Sequence, residues 1–268
     1  MERTKVTLRT LNARYQAGTP ITTLTAYDAT FARLFDQAGV DCVLVGDSLG
    51  NVIQGQATTI PVTLDEIIYH TRAVARGVQY AHVIADMPLG SYGASVESGV
   101  NAAVRLMKEG FAESVKVEGG AELSELIRTL TRMGIPVVGH LGLTPQSYHM
   151  LGGYRVQGRS EQDAERMIAD AKALEEAGAW AIVFEMIPSE LGERITKAVN
   201  IPTIGIGAGN QMSGQVLVSY DMLGLIEDFK PKFAKRYRAL GQEVREAVQE
   251  YIQEVTGRQF PDDDHSFH

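Results

Sequence analysis

The sequence predicts an α/β protein folded as a single (βα)8 barrel, and three observations predict it. Eight short runs rich in β-branched residues recur along the 268-residue chain, most of them apolar at nearly every position. Segments of helical length with an apolar stripe lie between most of these runs. A glycine separates a helical segment from the next run at Gly39, Gly77, Gly110, Gly134 and Gly178, where it suits the left-handed position that ends a helix. Continuously apolar strands belong to a parallel sheet covered on both faces, and strand–helix alternation repeated eight times closes into a barrel. An open doubly wound sheet is the competing architecture.

The elements follow in order. Leu8–Tyr15 reads as a short helix that plugs the N-terminal mouth of the barrel. The first strand is Ile21–Tyr27, followed by a helix at Ala29–Ala38. Strand two, Cys42–Gly46, leads to a helix at Leu64–Arg76, and strand three, His82–Met87, to one at Val96–Glu109. Strand four, Ser114–Gly119, precedes a helix at Glu122–Met133, and strand five, Pro136–Leu141, one at Glu161–Ala177. Strand six, Ala181–Met186, is followed by Glu190–Val199, strand seven is Thr203–Ala208, and strand eight is Val216–Leu223. Gly209–Gln215 is too short for a full helix, and Phe233–Thr256 reads as a long charged amphipathic helix. The whole chain, 1–268, is expected to form one domain, with 260–268 a disordered tail.

Composition narrows the function classes. Thirty-three acidic against 25 basic side chains leave a net charge of −8, which argues against nucleic acid or an anionic membrane as partner. The single cysteine, Cys42, excludes an intramolecular disulfide and argues against a thiolate zinc site. Two uncharged stretches, Met133–Tyr154 and Ala198–Tyr220, are broken by Pro, His, Gly, Asn and Gln and do not read as membrane spans. No apolar leader follows Met1, so a cytoplasmic location is expected.

Side chains at the C-terminal ends of barrel strands converge on one mouth, where such proteins place their chemistry. From each of the five glycines, a polar or ionisable residue follows six to nine positions later: Asp47, Asp86, Glu118, His140 and Glu185. Any one of these acids alone could be the N-cap of a following helix. Together, Asp47, Asp86 and Glu118 would repel one another unless a cation sits between them. All-oxygen ligation favours a hard divalent ion, Mg2+ before Mn2+, with Glu118 acting directly or through a water. Lys116 lies two residues before Glu118 and shares its face of the strand, while Val115 and Val117 face the helices. It either neutralises a carboxylate or developing enolate at the mouth, or forms a structural pair inside the barrel. His140 is either a capping hydrogen-bond partner or a substrate ligand. Glu185 follows an apolar run, a setting that suits a general base near neutral pH, and a fourth metal ligand is its other reading.

Weaker features have plain readings. Gly205-Ile206-Gly207-Ala208-Gly209 lacks GxGxxG spacing, and close packing explains it as well as phosphate binding does. His149 sits in a Gly-rich stretch, 141–159, that reads as a mobile loop over the mouth, and the histidine itself reads as solvated.

The ordered set Val45-Gly46-Asp47-Ser48-Leu49-Gly50, Lys116-Val117-Glu118-Gly119-Gly120, Gly139-His140-Leu141-Gly142-Leu143-Thr144-Pro145-Gln146, Gly153-Tyr154-Arg155-Val156-Gln157-Gly158 and Ile204-Gly205-Ile206-Gly207-Ala208-Gly209 resembles the ketopantoate hydroxymethyltransferase family from about Thr4 to about Tyr237. Gly46-Asp47-Ser48 alone would point only to the wider phosphoenolpyruvate mutase/isocitrate lyase superfamily, whose metal-dependent C–C and P–C bond chemistry is the alternative function. The resemblance implies a Mg2+-dependent TIM barrel that passes a hydroxymethyl group from 5,10-methylenetetrahydrofolate to 3-methyl-2-oxobutanoate, giving 2-dehydropantoate for pantothenate synthesis through a metal-stabilised enolate. It implies Asp47, Asp86 and Glu118 as the metal site. Asp47, Ser48, Asp86, Lys116 and His140 are then the residues that meet the oxo acid, and Glu185 is the catalytic base. It also implies a homo-oligomer, often a decamer.

Overall fold

The computed structural model describes residues 3–228 and 231–267. Eight parallel strands, each hydrogen-bonded to the next in chain order, close into a barrel when β8 pairs with β1. They are β1 (Ile21–Thr25), β2 (Cys42–Val45), β3 (His82–Asp86), β4 (Ser114–Glu118), β5 (Val137–Gly142), β6 (Ala181–Glu185), β7 (Thr203–Ile206) and β8 (Gly214–Leu217). Every residue of β2, β3 and β7 is buried, as expected of strands with side chains both in the lumen and under helices.

The helices form because their apolar residues recur at three- and four-residue intervals and their first turns are capped. Leu64–Gly77 buries Ile67, Ile68, Thr71 and Val74 on one face, and Thr63 and Glu66 close a capping box at its start. Val96–Gly110 starts on the Ser95 side chain, which accepts from the Ser98 amide. Gly39, Gly134 and Gly178 take the positive φ that ends a helix. Gly77 and Gly110 do not: both are last helical residues, and Phe111 takes the left-handed position after Gly110. A Cβ on Gly77 would stand 2.3 Å from the Ala29 carbonyl oxygen, so close helix approach explains that glycine.

The plug is present. The helix Leu8–Gln16 buries Leu11 completely, and the chain before it runs past the strand starts. Val6 N donates to Tyr80 O at 2.7 Å, and Lys5 Nζ reaches Ala81 O at 2.6 Å and Glu113 Oε2 at 2.7 Å. Beneath it His82 Nε2 meets Ser114 Oγ at 2.7 Å, and Trp180 Nε1 donates to the same hydroxyl at 3.1 Å.

Two expected elements are corrected. Strand eight is Gly214–Leu217, not Val216–Leu223, and Ser219–Leu223 turns into a helix. The long C-terminal helix runs over Leu240–Thr256 only, because the chain before it has other partners: Tyr237 N donates to Met222 O, and Arg236 Nη2 to Ile226 O. The chain comprises two compact units, Met1–Val218 and Ser219–His268. Within the expected tail, residue 268 lies outside the described residues, and Asp263–His265 forms a single 3-10 turn that Asp262 caps. Among the described residues no helix is long and apolar enough to cross a membrane.

Candidate active site

Five strand ends bring the predicted residues together. Asp86 and Glu118 end β3 and β4, Glu185 ends β6, His140 sits in β5 opposite Glu118, and Asp47 follows β2 by two residues. The parallel register places Lys116 beside Asp86. Lys116 Nζ stands 3.0 Å from Asp86 Oδ1, 3.8 Å from Glu118 Oε1 and 3.2 Å from His140 Nδ1. His140 Nδ1 lies 3.1 Å from Glu118 Oε1, and its Nε2 3.5 Å from Glu185 Oε2. Asp47 does not cap a helix; its amide donates to Asp86 Oδ2 at 3.0 Å.

Burial sets the electrostatics. Burial, reinforced by Glu118 and Asp86, pushes the Asp47 carboxyl well above the usual range. Burial also raises Asp86, against the pull of Lys116 and the Asp47 amide. Burial opposes ionisation of Glu118, yet His140 and Lys116 outweigh it and hold that carboxyl low. Burial and Lys116 disfavour a charged His140, but Glu118 and Glu185 lift it to about 9. Burial likewise disfavours the Lys116 ammonium, and Asp86, Glu118 and Asp47 overcome it, so Lys116 stays charged. The side chains of Lys116, Asp86, Glu118 and His140 are 3–5% exposed, whereas that of Glu185 is 16% exposed. Glu185 is therefore the member of the cluster a ligand meets first. Met186 after it takes φ 47, a strained backbone that its amide bond to Ile206 O helps to hold.

Crowded carboxylates with raised pKa suit a hard cation. Asp86 Oδ1 and His140 Nε2 are buried without a hydrogen bond, although each faces an ionic partner. Glu118 is already engaged by His140 and by the Gln146 amide. Among the described residues no three His, Cys, Asp or Glu side chains form a ready ligand shell. The residues thus fit an ion that takes one or two carboxylates and completes its shell with water and substrate, as Mg2+ does. Asp47 and Asp86 are the two that suit it.

Ser48 Oγ lies 2.8 Å from Tyr27 OH and makes no helix cap. The Gly205–Gly209 stretch is a packing device: a Cβ on Gly205 would meet Met212 at 2.9 Å, and one on Gly209 would meet Ser189 at 2.7 Å. His149 is exposed. Sequence reasoning missed Tyr27, Tyr92 and Gln146, which hold the named residues from behind. Gln146 stood within a quoted motif without a role, and nothing in the sequence marked Tyr92.

The family model of ketopantoate hydroxymethyltransferase matches residues 5–263. The chain belongs to that family. A relative from an Anaeromyxobacter species, named 3-methyl-2-oxobutanoate hydroxymethyltransferase, is 54% identical over 99% of this chain and 88% of its own length. One of the same name from Leptospira biflexa is 54% identical over 95% of both chains, and one from Clostridium botulinum is 51% identical over 98% of this chain and 96% of its own. The protein is thus a transferase of the hydroxymethyl class. Among solved structures, phosphonopyruvate hydrolase in complex with oxalate and Mg2+ superposes with a TM-score of 0.63 at 14% identity, covering 96% of this chain and 92% of that one. A 2,3-dimethylmalate lyase of the phosphoenolpyruvate mutase/isocitrate lyase superfamily superposes at 0.59 with 16% identity, covering 97% and 91%. At such identity the likeness is one of fold alone.

Proposed function

We propose that this transferase moves a one-carbon unit from 5,10-methylenetetrahydrofolate to 3-methyl-2-oxobutanoate, forming 2-dehydropantoate for pantothenate synthesis, with Glu185 as the base. The observation that carries this reading is the pairing of an accessible carboxylate, Glu185, with a buried cationic pair, Lys116 and His140, 3.5 Å behind it at His140 Nε2. A 2-oxo acid needs both: a base for its C3 proton and positive groups for the charge that moves to its keto oxygen.

Asp47 and Asp86 would hold a divalent cation, Mg2+ by the donor chemistry, which supplies a Lewis acid to the keto and carboxylate oxygens when bound. Glu118 orients His140 through Nδ1. Lys116 and Ser48 offer donors to the acid's oxygens. Glu185 accepts the C3 proton, and C3 and then a water oxygen bond to the donated methylene carbon as its two bonds to folate nitrogens break in turn; each nitrogen leaves with its electron pair and takes one proton, the two coming from Glu185 and from the water. Buried walls around Lys116 strengthen each of these interactions, because little water screens them.

The test is isotope exchange. Glu185→Gln should abolish deuterium exchange at C3 of 3-methyl-2-oxobutanoate, with or without folate. Exchange at the wild-type rate in that variant would remove Glu185 as the base.

A further inference from the structure

Gln146 lies on the mouth loop, in a 3-10 turn at Pro145–Ser147, and is only 8% exposed. Its backbone amide and both ends of its side-chain amide are hydrogen-bonded, two of these bonds going to acids of the cluster. Its backbone amide donates to Glu118 Oε2 at 3.1 Å. Its side-chain Nε2 donates to Asp47 Oδ2 at 2.9 Å and to Met87 O at 3.0 Å. Its Oε1 accepts from Tyr92 OH at 2.8 Å.

The direction of this chain of bonds follows from donor and acceptor counts. A carboxamide has the same shape either way round, so its neighbours decide which end shows. Glu118 N is a donor only, and it lies 2.8 Å from the Tyr92 oxygen, which must accept. The one phenolic proton is then left for an acceptor, and the nearer is Gln146 Oε1 at 2.8 Å rather than Glu118 O at 3.2 Å. With Oε1 taken, the two hydrogens of Nε2 meet two acceptors, Asp47 Oδ2 and Met87 O. A reversed amide would press oxygen against both.

We propose that Gln146 is a positioning residue for the transfer reaction, held in register by Tyr92, which pins one oxygen of Asp47 and one of Glu118 and ties the mouth loop to the acids. The proposal rests on the reading of Asp47 and Glu118 as working acids. Its action is indirect: Gln146 aims Asp47 and steadies the carboxylate that orients His140.

The experiment uses the full-length chain with Gln146→Met, which keeps length and removes the side-chain bonds, and Tyr92→Phe, which removes one oxygen. Three readouts are taken: Mn2+ affinity by titration of the metal alone, amide hydrogen exchange over residues 118 and 144–147 without ligand, and the kcat and KM of C3 exchange. Loss of a group that supports a metal ligand typically weakens binding about 10–100-fold, and Gln146→Met should fall in that range for Mn2+. Tyr92→Phe should weaken it less, and the double variant should be no weaker than Gln146→Met, because Tyr92 works through the amide. Amide exchange should quicken at 144–147 in Gln146→Met and at 118 in Tyr92→Phe. Mn2+ affinity and loop exchange within twofold of wild type in folded Gln146→Met would overturn the proposal, as would Mn2+ losses that multiply in the double variant. If Gln146→Met does not fold, Tyr92→Phe carries the test on the same readouts. A wild-type protein that shows no C3 exchange would instead defeat the proposed function, while Mn2+ titration and amide exchange still judge Gln146.

Discussion

Lys116 Nζ rests 3.0 Å from Asp86 Oδ1, and the two residues are exact register partners on β4 and β3. This ammonium, together with His140, lets three acids share one buried mouth. Removing one member of a buried, hydrogen-bonded ion cluster strands the others, at a cost of about 3–5 kcal/mol. Lys116→Met should lose stability of that order in chemical denaturation and should lose C3 exchange. Millimolar Mg2+ should return part of the stability, since a cation between Asp47 and Asp86 replaces the missing charge. Unchanged stability without metal would show that the acids do not depend on Lys116.

Gly142 closes β5 at φ 90, opposite Glu185 in the register. A Cβ there would stand 2.3 Å from Glu185 O and 2.9 Å from Ile187 Cγ2. Gly142→Ala should cost roughly 1–3 kcal/mol from the backbone alone and more from the collision. The collision displaces the strand end that carries the base, so C3 exchange should fall in the folded variant. Normal exchange there would mean that the placement of Glu185 tolerates backbone movement.

His82, under the plug, is held neutral: burial, aided by Lys5, outweighs Glu113 and lowers its pKa from 6.5 to about 4. The facing groups are Ser114, Trp180, Glu113 and Lys5. Between these two values the unfolded chain binds a proton that the fold refuses. Stability is therefore full above pH 6.5 and falls towards pH 4, by about 3 kcal/mol for this one group. His82→Gln should flatten the stability profile between pH 6.5 and 4 relative to wild type. A profile of unchanged slope would assign the acid loss to other groups.

Cys42 begins β2 at the far end of the barrel from the mouth and is 1% exposed. Burial first, then Asp41, raise its thiol far above the usual range. A thiol reagent should leave Cys42 unmodified until denaturant unfolds the barrel, and activity should survive the reagent. Rapid labelling of the folded chain with loss of C3 exchange would show that Cys42 is reachable and coupled to the working groups.

Residues with periodic surroundings were legible in the sequence. Asp86, Glu118 and Glu185 stand at the ends of apolar runs, and the period of two puts Lys116 and Glu118 on one face. The eighth strand was harder, because Val216–Leu223 is too short to carry a period, and its second half, from Ser219, folds as a helix. Helical propensity at 233–239 lost to hydrogen bonds with residues 222–227, a competition invisible to a local reading. Gln146 and Tyr92 lie on loops that fold back over the strand ends. Their partners are 26–99 residues distant in sequence, and no spacing rule reaches across such a gap.

The pairing of β1 with both β2 and β8 leaves the sheet without a border strand. Unpaired strand borders are where one polypeptide recruits another by main-chain hydrogen bonding, in fibres as in exchanged dimers. A ring that satisfies its own ladder offers no such template. Strand addition between copies of this chain is therefore closed to the barrel, whatever its helices and loops meet.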